Sequence, residues 1–251
     1  MRLDRIIAVR NDKTIYRDGG YCMKVFVSGH RKSEIFAEAL SQARAEETGL
    51  PVPRLHEVTM LDGKWAIVSE LIRGKSLEEL SKESREKKYA CVESFVELQL
   101  KVQSKECGLF PRLSEKVFRE ISALKLDRRV KDSLFERLEK LRDSSNGGEN
   151  VLCHGDFALS NVIDSEKGLY ILDWSHASRG FAEADAARSY LLFWLAGDID
   201  GAERYLSLYV ERSGVSRELI LEWIPLAAAS QMKRCKAVER EFLLDWLKRG
   251  R

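Results

Sequence analysis

The sequence predicts an α+β fold in two parts: a small antiparallel sheet with one helix over residues 1–72, and a larger, mainly α-helical part over residues 73–251. Three observations carry this expectation. The N-terminal part alternates short apolar runs with turn signals. From Ser76 onward helical apolar spacing dominates. The two regimes meet at Arg73-Gly74. A chain of 251 residues suits one large domain or two small lobes.

RIIAVR, TIYRD and YCMKVFV read as a three-stranded meander with tight turns at Asn11-Asp12 and Gly19-Gly20. Ser33 is placed to cap the helix that follows, EIFAEALSQARAEET, with Glu34 in its first turn. That helix stops at Gly49, and Pro51 and Pro53 prevent its return. LHEVTM and KWAIVSELI, on either side of Asp62-Gly63, complete a five-stranded sheet. Residues 77–103 and 119–143 carry helical spacing, 144–150 is a polar loop, 151–174 reads as loop and strand, and the chain from Ala182 returns to helix.

A net charge of +2 with 33% charged residues gives no reason to expect nucleic acid or an anionic membrane as partner. No apolar run is long enough to span a bilayer, and MRLDRIIAVRNDK lacks the apolar core of a signal peptide. The cysteines 22, 91, 107, 153 and 235 show no CxxC or zinc spacing. Reduced thiols in a cytoplasm are expected.

The chemistry points to His154-Gly155-Asp156, Asn161 and Asp173. NVIDS and LYILD flank Glu166-Lys167-Gly168, which reads as a three-residue hairpin loop ending on glycine. Pairing Ser165 with Leu169 then sets Asn161 opposite Asp173 at the open end. An amide oxygen and a carboxylate at one point suit Mg²⁺, which takes few protein ligands besides phosphate oxygens. Asp156, five residues before Asn161, is placed to meet the proton of an acceptor hydroxyl. D-x-x-x-x-N followed by a later metal-binding Asp is the spacing that protein kinases use for phosphoryl transfer.

HGDFALSN and ILDW resemble the two signature segments of the aminoglycoside phosphotransferase and choline kinase family, which has a protein-kinase-like fold. The resemblance implies a bilobal molecule, with residues 1–72 as the nucleotide-binding lobe and 73–251 as the catalytic and acceptor-binding lobe. It implies ATP, or GTP in its place, with Mg²⁺ as cofactors and a small-molecule alcohol as acceptor. Asp156 becomes the catalytic residue, Asn161 and Asp173 the metal ligands, and His154 and Asp185 supports of the catalytic loop. Lys24, on the third strand, becomes the phosphate-binding lysine. Its partner is Glu38 by family spacing to the Pro51-Val52-Pro53 segment, although Glu46 lies nearer the apolar stripe of Ile35, Phe36, Ala39, Leu40 and Ala43. Residues 67–77 resemble the family's hinge, where backbone groups at Glu70 and Ile72 face an adenine edge.

One departure from the pattern is the turn between the first two strands, which carries Asn11-Asp12-Lys13 and no glycine-rich stretch. That departure keeps a catalytically weak or inactive nucleotide-binding pseudokinase or scaffold on the same fold as the alternative function. His176 reads as a loop residue, and the adjacent Cys153 and His154 point to opposite faces of an extended chain. Residues 230–251 hold seven Lys and Arg against three acids, which disfavours a polycationic acceptor, although a solvated helix face explains it equally. The sequence assigns no oligomeric state.

Overall fold

The computed structural model describes residues 5–10, 12–144 and 148–248. Asn11 of the expected first turn, residues 145–147 of the polar loop, and the basic Arg249 and Arg251 lie outside the described residues. In chain order the first elements are β1 (Arg5–Val9), β2 (Lys13–Asp18), β3 (Tyr21–Phe26), α1 (Lys32–Glu47), β4 (Leu55–Leu61), β5 (Lys64–Glu70), β6 (Gly74–Ser76) and α2 (Leu77–Ser81). Next come α3 (Arg85–Gln103), α4 (Leu113–Ala123), α5 (Arg128–Ser144), β7 (Val151–Cys153), β8 (Val162–Ser165), β9 (Gly168–Ile171) and β10 (Ser178–Gly180). The chain ends with α6 (Ala182–Leu195), α7 (Ile199–Ser213), α8 (Arg217–Glu222), α9 (Ile224–Met232) and α10 (Arg240–Lys248). Contacts group residues 1–79 with 160–176, and residues 80–159 with 177–251.

The first unit holds the predicted five-stranded antiparallel sheet, ordered β1-β2-β3-β5-β4. Side chains alternate across it. Met23, Val25, Ala66 and Val68 fill one face, and Phe26 and Ile67 pack on Ile35 and Ala39 of α1 at the other. Lys24 pairs with Ile67 and so belongs to the helix-side face.

The helix departs from expectation at two points. Its first turn follows Arg31, whose backbone N–H donates to Glu34 Oε2, so Ser33 lies inside the helix and caps nothing. Its buried stripe is Ile35, Ala39, Gln42 and Ala45. Phe36 instead sets its ring edge-on to Trp65 near the surface, and Leu40 is exposed. Gln42 earns its place in the stripe by donating to the Pro53 carbonyl at 2.8 Å. The rotated stripe carries Glu38, which lies three residues after Ile35 and four before Gln42.

β6, β8 and β9 form a second, three-stranded sheet in this unit. The β6–β8 pairing needs Gly74, because a Cβ there would meet the Asp164 carbonyl oxygen at 2.0 Å. Gly74→Ala is expected to destabilise the protein by about 1–3 kcal/mol, the usual cost of overpacking. Urea unfolding checks this, and an unchanged midpoint contradicts it.

The second unit is mainly helical. Residues 77–103 do not form one helix: Ser84 caps α3 by accepting the Lys87 N–H. The helical spacing of 119–143 likewise divides between α4 and α5, where Asp127 accepts the Arg129 N–H. The strand β10, unforeseen in the sequence, pairs with β7. Phe95, Phe157, Phe193 and Tyr205 make an aromatic core, with the Phe95 and Phe157 rings 4.4 Å apart. Among the described residues no helix is long and apolar enough to cross a membrane.

Candidate active site

In the first unit, the β8–β9 hairpin pairs Val162 with Ile171 and Ser165 with Gly168. This is one residue out of register from the expected pairing, and the loop is Glu166-Lys167. Gly168 does have positive φ, at 103°, but it does so as a strand partner of Ser165 rather than as a loop residue. Ser165 closes the turn with its hydroxyl, donating to the Gly168 carbonyl and accepting the Lys167 N–H. The Asn161 carbonyl therefore accepts from Leu172 at 2.8 Å, and Asp173 falls one residue beyond.

Asp173 has φ 59°. Left-handed backbone at a non-glycine residue is strained and persists only where surroundings impose it. Trp174 supplies part of that hold. It is 1% exposed, donates its indole N–H to the Ile171 carbonyl, and opens a short 3-10 turn packed on α1.

Four charged groups, Lys13, Lys24, Glu38 and Asp173, form one cluster. Lys24 Nζ lies 2.9 Å from Glu38 Oε1 and 3.5 Å from Asp173 Oδ1. Lys13 Nζ lies 3.3 Å from Glu38 Oε1 and 3.7 Å from Asp173 Oδ2. Ser175 donates to Asp173 Oδ1 at 2.8 Å. Burial alone would push the Asp173 carboxyl up, but Lys24 and Lys13 outweigh it and hold the group well below the ordinary carboxylate range. Burial would likewise lower Lys24, yet Asp173 and Glu38 raise it above the ordinary lysine value. Both therefore stay charged at neutral pH. Glu46 takes no part in this cluster: it accepts the Leu55 N–H at 2.6 Å.

At the end of β5, the Glu70 and Leu71 N–H groups donate to the Arg54 and Gly20 carbonyls. Ile72 follows in irregular backbone.

In the second unit, β7 delivers the chain to His154, which is fully buried and sets its ring edge-on to Phe157. Its Nδ1 accepts the Asp156 N–H at 3.3 Å. That bond makes His154 an organiser of the turn. Gly155 sits at φ 76° and donates its N–H to Asp185 Oδ1 at 2.8 Å. Asp185 Oδ2 accepts from the Gln99 amide, which also donates to Ser189 and accepts from the Tyr205 hydroxyl. A satisfied buried network of this kind rigidifies what it holds. Asp156 itself pairs with Arg188 at 3.0 Å, and Arg188 also donates to the Gly155 carbonyl and to Gln231.

Two participants escaped the sequence reading. Lys13 was legible, because the Gly19-Gly20 turn fixes the pairing of Lys13 with Phe26 and Ile15 with Lys24, which puts both lysines on one face. Arg188 lies three residues after Asp185 on α6, hence on the same helix face.

Residues 9–219 match the model of the phosphotransferase enzyme family. No curated protein matches the sequence. Among solved structures, an aminoglycoside-3'-phosphotransferase of type VIII shares 20% identity over 91% of this chain and 92% of its own, with a TM-score of 0.64. A thermostable mutant of aminoglycoside phosphotransferase APH(4)-Ia, in ternary complex with AMP-PNP and hygromycin B, shares 15% identity over 98% and 91%, with a TM-score of 0.69. The enzyme APH(3'')-Id from Streptomyces rimosus, in complex with ADP and streptomycin, shares 15% identity over 86% and 90%, with a TM-score of 0.65. At these identities the likeness is one of fold.

Proposed function

The chain belongs to the phosphotransferase enzyme family, and on that premise we propose that it moves the γ-phosphate of ATP to a hydroxyl of a small molecule, with Mg²⁺ as cofactor. The observation that carries this reading is the pair of lysines held on Glu38 and Asp173. Two ammonium groups fixed beside a carboxylate that stays ionised are what a polyphosphate and its cation require.

The donor set fits the metal: a carboxylate and an amide are hard oxygen ligands, and Mg²⁺ needs only one or two from the protein. Asn161 and Asp173 would hold the ion, which supplies charge neutralisation at the phosphate oxygens. Lys24, oriented by Glu38, binds the α- and β-phosphates. Lys13 stands where a glycine-rich turn is missing and supplies by side-chain charge what backbone N–H groups supply elsewhere. Backbone groups at Glu70 and Ile72 bind the adenine edge. Asp156, steered by Arg188 and by the Asp185-braced turn, accepts the proton of the acceptor hydroxyl. In this reading residues 1–72 bind nucleotide, residues 73–251 bind acceptor, and the setting is a reducing cytoplasm, in line with five free thiols.

Lys13→Met is expected to weaken Mg-ATP binding about tenfold. Titration calorimetry measures this, and unchanged affinity removes Lys13 from the phosphate site. The function itself is tested in two steps. A thermal shift with Mg-ATP or Mg-GTP, abolished by EDTA, establishes nucleotide binding and the preferred base. A panel of alcohols scored by ADP release then establishes transfer. The glycine-free turn at Asp12-Lys13 favours the alternative of a non-catalytic nucleotide-binding scaffold, for which the shift occurs and no alcohol raises ADP release.

A further inference from the structure

We propose that the cavity in the helical unit beside Asp156 binds the acceptor through an anionic group, a carboxylate or phosphate carried by the alcohol; this rests on the phosphotransferase reading above. Val117 and Trp223 give the cavity apolar wall, and Lys116, Glu120, Arg188 and Arg234 give it charge. Asp185 also lines it, but both its oxygens accept from Gly155 and Gln99.

Three cations thus line the cavity against two carboxylates, Glu120 and Asp185, with Asp156 beside it as a third. Asp156 is already held by Arg188, and Glu120 reaches Arg234 only at 3.9 Å. The charges therefore balance, and the cavity offers a polycation no acidic excess. The preference for an anion comes from unpaired donors, the first of them on Arg188. Its side chain is 7% exposed, and its Nη1 has no hydrogen-bond partner. The Trp223 indole N–H, 2% exposed at residue level, has none either. Buried donors are paired in folded proteins, so two orphaned donors on residues that line one cavity point to an acceptor the chain does not supply. Carboxylate or phosphate oxygens would serve both, and a guanidinium is suited to either. Glu120 Oε2 is also unpartnered, and a ligand hydroxyl can donate to it.

Lys116 agrees with this picture. Burial lowers its pKa to about 8; Glu120 and Asp156 oppose the fall, while Arg234 and Arg188 add to it. A bound anion would return the ammonium to a favourable environment.

The test uses the full chain with Mg-ATP and four matched acceptor sets: sugar phosphates, hydroxy acids, neutral sugars and aminocyclitol polycations. Binding is read by thermal shift and turnover by ADP release. We expect kcat/KM for one of the two anionic sets to exceed that for neutral sugars by about tenfold or more, with polycations poorest. The two anionic sets separate phosphate from carboxylate. Arg234→Gln is expected to reduce the anionic-to-neutral preference about tenfold, and Arg234→Lys to restore part of it. Arg234 retains 28% side-chain exposure, and a thermal melt of both variants beside the wild type checks that they fold. Turnover that favours neutral or cationic alcohols overturns the site and leaves the phosphotransferase reading standing. Anion binding without turnover of any alcohol keeps the site and overturns the reading. A preference unmoved by Arg234→Gln, or no anion binding at all, overturns the site.

Discussion

Asp156→Asn is expected to lower kcat by roughly 10²–10⁴-fold, the usual contribution of a positioned general base. Mg-ATP affinity should barely move, because the lysine and carboxylate cluster proposed to hold the nucleotide is built from other residues. The asparagine retains an oxygen toward Arg188 and lacks only the proton-accepting charge. Steady-state kinetics beside calorimetric titration separates the two effects. A variant that turns over at the wild-type rate removes Asp156 from the chemistry, whereas one that also loses Mg-ATP affinity moves it to the nucleotide site.

Asp173→Ala is expected to do two things at once. It abolishes measurable Mg-ATP binding and turnover, because it removes the anionic ligand of the proposed metal pair. It also leaves Lys13 and Lys24 near one another with Glu38 alone to balance them. Removing one partner of a buried ion pair costs about 3–5 kcal/mol, and Asp173 retains 29% side-chain exposure, so we expect about 3 kcal/mol. Urea unfolding without nucleotide measures that loss. The pH dependence has a definite sign. The Asp173 carboxyl lies below its unfolded value, so its stabilisation is fully present above the ordinary carboxylate pKa and fades only in stronger acid. Unchanged nucleotide affinity in Asp173→Ala contradicts the metal assignment.

Much of this was legible in the sequence. Turn residues and alternating apolar runs mark the five strands, and HGDFALSN with ILDW marks the loop and the later Asp. Family spacing selects Glu38 over Glu46, and Glu38 is the residue that meets Lys24. Helical periodicity alone points the other way, because Phe36 and Leu40 look like core and stand at the surface. A polar Gln42 replaces them, satisfied by a carbonyl that no periodicity rule can see. The hairpin register slipped for a local reason. The hairpin rule puts the positive φ in the loop, whereas Gly168 carries it within a strand pair. The cavity proposed for the acceptor was hidden for a different reason: Lys116 on α4, Arg188 on α6 and Trp223 between α8 and α9 come together from far apart in the chain. No local pattern encodes such a meeting.

The central claim is transfer of phosphate to a small alcohol, and the direct measurement is the fate of labelled γ-phosphate. The protein is incubated with Mg-ATP carrying the label and with the four acceptor sets, beside Asp156→Asn. The account predicts a labelled phosphoester on at least one alcohol, formed by the wild type and reduced at least a hundredfold in the variant. Label released only as inorganic phosphate, at equal rates in both proteins, contradicts it.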